Sequence, residues 1–377
     1  MEDYCRVKES NEENNKSNTV TVQAPVPDPM QCSTPGPLSS RIQSVADLGS
    51  LPDGMSINWP IAPSIEREVN IRALDDFQSL FDSADQARTR FYFHVSIDER
   101  VFVDASDVEI VILPTIKLRN IVLDASAHRV KISGGEIGQI SAVRTPSGTH
   151  DSGFITDVLI DNIVLNSDPA LCPINTAGGY NPYPNECFGI MLRGVRRLAI
   201  VNSSINSLVY PVYADTSNED IIIANNRMHS TLGTQATVRM HDSVKTVTVH
   251  NRLTNGDSNT SDWRHNYRIH GTARYAYAAC NLLVNSGVMV GEGLEPSVPE
   301  DIRYYWFNDN QFHQLAPSLY QMDTSTVHNV QIRGNRAYSA QDWHWEERGG
   351  CFYCPDNQPD DWEITDNVTR PYVQAPD

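Results

Sequence analysis

The sequence predicts an all-β solenoid, and three observations predict it. One short pattern occurs twice, as Thr237-Val238-Arg239-Met240-His241-Asp242-Ser243 and as Asn266-Tyr267-Arg268-Ile269-His270-Gly271-Thr272. The spacing is 29 residues from Arg239 to Arg268 and again from His241 to His270. A template of two apolar residues at period two, a turn residue, and a further apolar residue recurs as Val130/Ile132/Gly135/Ile137, Val158/Ile160/Ile163/Leu165, Leu198/Ile200/Ser203/Ile205 and Ile221/Ile223/Asn226/Met228. It returns as Tyr305/Phe307/Asn310/Phe312, Val330/Ile332/Asn335/Ala337 and Trp362/Ile364/Asn367/Thr369. Finally, successive turn residues are 28, 40, 23, 25, 30, 29, 25 and 32 apart, one coil each with a single insertion. Fixed periods of this size mark repeat architectures, and apolar alternation at period two marks strands.

The two middle repeats fit partly: Val247/Val249 and Tyr275/Tyr277 sit one residue out of step with Asn251 and Asn281. Asn suits the bends, since it tolerates left-handed backbone angles and its amide bonds to backbone. Stacked about 4.8 Å apart, such amides also bond one another. On these residues the chain, from about Phe91 to Thr369, resembles the right-handed parallel β-helix of pectate lyases, polygalacturonases, alginate and chondroitin lyases and phage tailspikes. That resemblance implies a fold far more than a chemistry.

In chain order, residues 1–45 are rich in Asn, Glu, Pro and Ser and read as a disordered tether. Residues 46–377 then read as one β-helix domain, because a solenoid of 377 residues grows by adding coils. Leu74, Phe77, Leu80, Phe81 and Ala84 fall at helical spacing and predict an amphipathic helix over 72–88 that covers the open first coil. Trp343, His344, Trp345, Phe352 and Tyr353 predict a C-terminal cap within 340–377. The formal charge of −18 argues against a nucleic-acid partner, and no apolar run reaches the length of a membrane span.

Cys172 and Cys187 bracket the insertion Asp168 to Glu186 and read as a disulfide, since a projecting loop with little core gains most from a crosslink. Cys280 reads as a buried thiol, and Cys5 and Cys32 as a pair within the tail. Cys351 and Cys354 are a lone CxxC, read as a local disulfide or free thiols in preference to a zinc site. This usage, with the resemblance, predicts a secreted or cell-surface protein. Nothing in the sequence sets the oligomeric state.

Counting back from the turn residues places two outward columns on one sheet. The first holds Met191, Tyr213, Arg239, Arg268 and Gln321; the second holds Arg193, Asp215, His241, His270 and Asp323. Met240 and Ile269 lie between them and point inward. Two arginines on adjacent coils repel unless an anion lies between, and Asp215 is the protein carboxylate at hand. The pattern fits elimination on a uronic-acid polysaccharide: Arg239 and Arg268 neutralise the sugar carboxylate, while His241, His270 and Tyr213 are candidate base and acid. Arg193, Asp215, Gln321 and Asp323 would bind substrate, and Trp263, Tyr180 and Tyr183 on neighbouring loops would stack on sugar rings.

The competing readings are a carbohydrate-binding or adhesion protein without turnover, and a tailspike-like or polygalacturonase-like hydrolase. The hydrolase pattern of paired Asp with Gly-His-Gly and Arg-Ile-Lys is missing. So are the Asp-rich calcium strands of pectate lyases, which leaves calcium open as a cofactor.

Overall fold

The computed structural model describes residues 32, 35–82, 84–143, 153–168, 187–232, 236–256, 265–291, 301–314, 320–322, 327–339 and 360–376. Its strands stack in register, and each pairing among them is parallel, from Arg67–Ile71 on Thr89–Phe93 to Arg336–Ser339 on Val368–Pro371. The result is a right-handed parallel β-helix with three sheets around one apolar core. Parallel strands need both faces covered, and here the inner face of every coil supplies the core while the outer face is treated differently on each sheet.

The turn residues form the expected ladder. Each Asn Nδ2 donates to the Oδ1 of the next: Asn226 to Asn251 at 3.0 Å, Asn251 to Asn281 at 3.0 Å, Asn281 to Asn310 at 2.9 Å, Asn310 to Asn335 at 3.1 Å and Asn335 to Asn367 at 2.8 Å. The ladder residue is not the one that takes the left-handed angle. That falls one position earlier, on Asn202, Asn225, His250, Cys280, Asp309, Gly334 and Asp366. The preceding residue makes the bend, and the amide, buried just after it, closes it.

The two coils that looked out of step are in step. Thr246 and Thr248 pair with Ile221 and Ile223, and Ala276 and Ala278 follow them. These small and hydroxylated residues face the core, so the apolar residues beside them, Val247, Val249, Tyr277 and Ala279, face out. They belong to an outer apolar strip that also contains Ala199, Val201, Ile222 and Ala224.

That strip is covered by the chain's own start. Ile42, Leu48, Met55 and Ile57 bury against it. The expected tether thus has its last residues docked: the Leu38 N–H donates to Asn225 Oδ1 at 2.6 Å and the Ile42 N–H to Asn202 Oδ1 at 2.9 Å. Cys32 is disulfide-bonded to Cys280, which corrects both the buried-thiol reading of Cys280 and the pairing of Cys32 with Cys5. Cys187 is a buried half-cystine; Cys172, its expected partner, lies outside the described residues, as do Cys5, Cys351 and Cys354.

A second ladder runs along the same sheet, on a bulge residue of left-handed conformation in each coil: Arg88, Asp107, Arg129, Asp157, Arg197, Asp220, Lys245, Tyr275, Tyr304 and Asn329. Through its first seven rungs the charge alternates. Arg129 forks onto Asp107 at 2.7 and 2.6 Å, and Arg197 onto Asp157 at 2.6 and 2.7 Å. The covering segment hooks its acidic rungs at intervals of three residues: the Ser64 N–H donates to Asp107 at 2.8 Å, the Ile61 N–H to Asp157 at 3.0 Å and Asn58 Nδ2 to Asp220 at 2.8 Å. Three extended residues and two coils both span about 10 Å, so hooks and rungs keep pace.

At the N-terminal end, Leu74–Asp76 and Phe77–Asp82 form a short helix, ending before the expected residue 88. Phe77 and Phe81 bury against Phe91 and Phe93, whereas Leu74 and Leu80 stay exposed. The first strand, Arg67–Ile71, precedes this helix, so the solenoid begins earlier than Phe91. The aromatic residues of the expected C-terminal cap lie outside the described residues.

Candidate functional site

The third sheet carries the two columns predicted from sequence. Met191, Tyr213, Arg239, Arg268, Met289 and Gln321 are successive register partners. Met289 is a member the sequence count passed over, because the turn residue of its coil, Asn310, lies 21 positions on, beyond the twelve or thirteen counted back in the neighbouring coils. In the second column His241 pairs with His270, and Arg193 and Asp215 meet through their side chains. Met240 and Ile269 lie in the core as expected. Asp323, Trp263, Tyr180 and Tyr183 lie outside the described residues.

Arg239 is held on three sides. Its Nε donates to His270 Nε2 at 2.7 Å, its Nη1 donates to the Tyr210 hydroxyl at 3.0 Å, and its guanidinium lies 5.2 Å from the centre of the Tyr213 ring. His241 and His270 stack face to face, 4.2 Å apart and 5° from parallel. Asp215 accepts from Arg193 Nε at 2.9 Å and lies 3.3 Å from His241 Nδ1. The carboxylate expected between Arg239 and Arg268 is therefore engaged one column over.

The electrostatics follow from burial and these contacts. Burial works to raise the pKa of Asp215, but hydrogen bonds from His241 and Arg193 outweigh it and bring the value down to about 2. Burial, then the cations Arg239 and Arg268, push His270 well below the ordinary imidazole range. A neutral ring agrees with its Nε2 accepting from Arg239. Burial raises the Tyr213 phenol and outweighs the opposing pull of Arg239. Tyr213, left by the sequence as either base or acid, therefore keeps its phenol proton.

The patch is also less open than the columns suggested. Arg268 is 3% exposed and His270 5%, because ladder neighbours cover one another, whereas the side chains of Arg193 and His241 are 36% and 19% exposed. The accessible groups are Arg193 and His241 in the second column and the half-buried Arg239 in the first.

Sequence reasoning missed four residues here. Tyr210 and Phe188 pack with Tyr213, with ring centres 4.9 to 5.1 Å apart, and form the apolar wall beside Arg239. Asp242 Oδ2 lies 3.4 Å from His241 Nε2, and its Oδ1 accepts the Thr272 N–H at 2.6 Å. Gly271, at φ +75, stacks beside Asp242, and a Cβ there would come within 2.3 Å of the Asp242 carboxylate and 2.5 Å of the His241 ring. The signal for the last two was the departure from repetition: Arg-x-His is followed by Asp in one coil and by Gly in the next. Among the described residues no cluster of three or more His, Cys, Asp or Glu is placed to hold a metal ion.

No protein-family model matches the chain, and no curated protein matches it. Solved structures of similar architecture include a pectate lyase variant from Xanthomonas campestris, 13% identical over 78% of this chain and 83% of that one, with a TM-score of 0.38. Another is an endo-xylogalacturonan hydrolase from Aspergillus tubingensis, 10% identical over 75% and 85%, with a TM-score of 0.36. A third is the Dettilon tailspike protein, 8% identical over 68% and 53%, with a TM-score of 0.33. Likenesses this distant assign no chemistry.

Proposed function

We propose that this is an exported, carbohydrate-active β-helix protein that cleaves a uronic-acid polysaccharide by β-elimination on the outer face of the third sheet. The observation that carries the reading is the pairing of Arg239 with Arg268 in register beside the stacked His241 and His270, with Asp215 against His241. The disulfide of Cys32 with Cys280 supports an oxidising compartment.

In this mechanism the arginines bind the sugar carboxylate and draw off its charge, which acidifies the proton on the adjoining carbon. His241, the more accessible imidazole, takes that proton at Nε2, and the ionised Asp215 at Nδ1 holds the ring and balances the imidazolium. The electron pair left behind forms the new carbon–carbon double bond, and the bond to the leaving sugar oxygen breaks. Tyr213, kept protonated by burial, is the group to protonate that oxygen. His270 acts by positioning Arg239 and not by proton transfer.

A second reading, a glycan-binding protein without turnover, is favoured by the burial of Arg268 and His270. Incubation with a panel of uronic-acid polymers separates the two. Elimination predicts a rise in ultraviolet absorbance from the unsaturated product, while binding of a polymer with no such rise leaves the second reading.

A further inference from the structure

The outer face that carries the arginines continues towards the N-terminal end of the solenoid, where a cavity of about 330 Å³ opens. Its walls include Asp98, Lys117, Arg119, Asn120, Gly138 and Gln139, with Asp168 at one side. Asn120 and Gln139 are register partners, and both precede the inward residues Ile121 and Ile140 by one, so they face out on the third sheet. From Gln139 the sheet steps through the coils of Met191 and Tyr213 to that of Arg239. The two places are three coils apart, about 14 Å.

Three features separate this cavity from an incidental dent. Asn120 is only 9% exposed, yet its side-chain carbonyl has no hydrogen-bond partner. A buried amide oxygen in that condition is one donor short. Arg119 donates to the Asp98 main-chain carbonyl at 3.2 Å and has no carboxylate partner among the described residues, so most of its donors are uncommitted. Gly138 keeps the floor low: a Cβ there would lie 2.4 Å from the Arg119 carbonyl oxygen. Arg119 and the Asn120 amide bring donors, and Asn120 Oδ1 and Asp98 bring acceptors, to one lining. That balance suits a ring bearing several hydroxyls, and it differs from the cationic face that reads a carboxylate.

We propose that this cavity is a distal subsite that binds a sugar unit, through its hydroxyls, in the same polysaccharide strand that crosses Arg239 and Arg268. The assignment rests on the proposed function for its substrate class. It makes affinity depend on length: a strand must cover three further coils before the cavity contributes.

The test is calorimetric titration with oligomers of two to eight residues prepared from polygalacturonate and from alginate. Wild type, Arg119→Ala, Asn120→Ala and Arg239→Lys are compared, each checked for unchanged circular dichroism. Arg119 is exposed and its loss spares the core, so that variant keeps the test valid should Asn120→Ala unfold. The expected result is an octamer bound about tenfold or more weakly by Arg119→Ala, as for loss of a charged hydrogen bond, with dimer affinity unchanged. Arg239→Lys should weaken both lengths. If Arg119→Ala and every folded Asn120 variant bind the octamer as wild type does while Arg239→Lys still weakens it, the subsite is overturned and the proposed function stands. If wild type binds neither oligomer series, both fall.

Discussion

Arg239 and His270 depend on each other through one hydrogen bond, and two consequences follow at the scale of the residue. Replacing Arg239 or Arg268 by Lys keeps the charge but loses the planar fork, and at Arg239 it also loses the Nε donor to His270. Affinity or turnover on an acidic polymer should fall about ten- to a hundredfold, and the carboxyl-reduced polymer should bind poorly even to wild type. Equal handling of the two polymers by wild type would remove the carboxylate from the mechanism. The second consequence is pH dependence. Burial, Arg239, Arg268 and the stacked His241 hold His270 neutral in the fold, while the unfolded chain protonates it below the ordinary value of 6.5. Its contribution is complete above that pH and is lost as pH falls below it, with a slope approaching about 1.4 kcal/mol per pH unit. His250 and His313, also lowered by burial, act in the same direction. Urea midpoints measured from pH 7.5 to 5 should therefore decline, and His270→Gln should flatten the decline. At Gly271, a change to Ala should shift the His241 ring and lower activity while leaving the far-ultraviolet spectrum unchanged.

At the scale of the element, the asparagine ladder invites a graded test. Asn281 donates to Asn310 at 2.9 Å and to the Thr248 carbonyl at 2.8 Å, and its Oδ1 accepts both the Asn251 N–H and Nδ2 at 3.0 Å. Asn281→Ala leaves several buried groups unpaired and should cost about 2–4 kcal/mol, at roughly 1–3 per orphaned group with partial relaxation. Asn367, at the end of the ladder and part-buried, should cost about 1 kcal/mol. Denaturant midpoints in the opposite order would mean that the amides do not carry the stacking. This ladder was legible in the sequence because one residue type repeats at the spacing of the coils. The Arg and His columns were legible for the same reason. The charge ladder was not, since Arg, Asp, Lys, Tyr and Asn fill the same bulge and share only a backbone angle. The outward apolar strip left a readable trace: Leu198–Val201 and Ile221–Ala224 are continuous apolar runs, the mark of strands buried on both faces.

At the scale of the whole molecule, the covering segment from Cys32 to Ser64 had no local signature, because its partners lie 43 to 248 residues away. A chain lacking residues 35–64 should bare the strip of Ile222, Val247, Val249 and Tyr277 and bind a hydrophobic dye or aggregate. Cys32→Ser should leave the coils intact and make the chain before Gly49 cleavable by protease. The hooks also impose an order in time. Ser64 needs only the coil of Asp107, 43 residues on; Ile61 needs Asp157, 96 on; Asn58 needs Asp220, 162 on; and Cys32 needs Cys280, 248 on. As a ribosome delivers the chain, the first part made is the last to be fastened, closing like a zip from Ser64 backwards as each new coil emerges. Pulse-labelled synthesis should therefore find the Cys32–Cys280 crosslink only after the coil of Asn281 is complete. Until then the growing protein carries an open greasy flank, the strip that Ile42, Leu48, Met55 and Ile57 later cover.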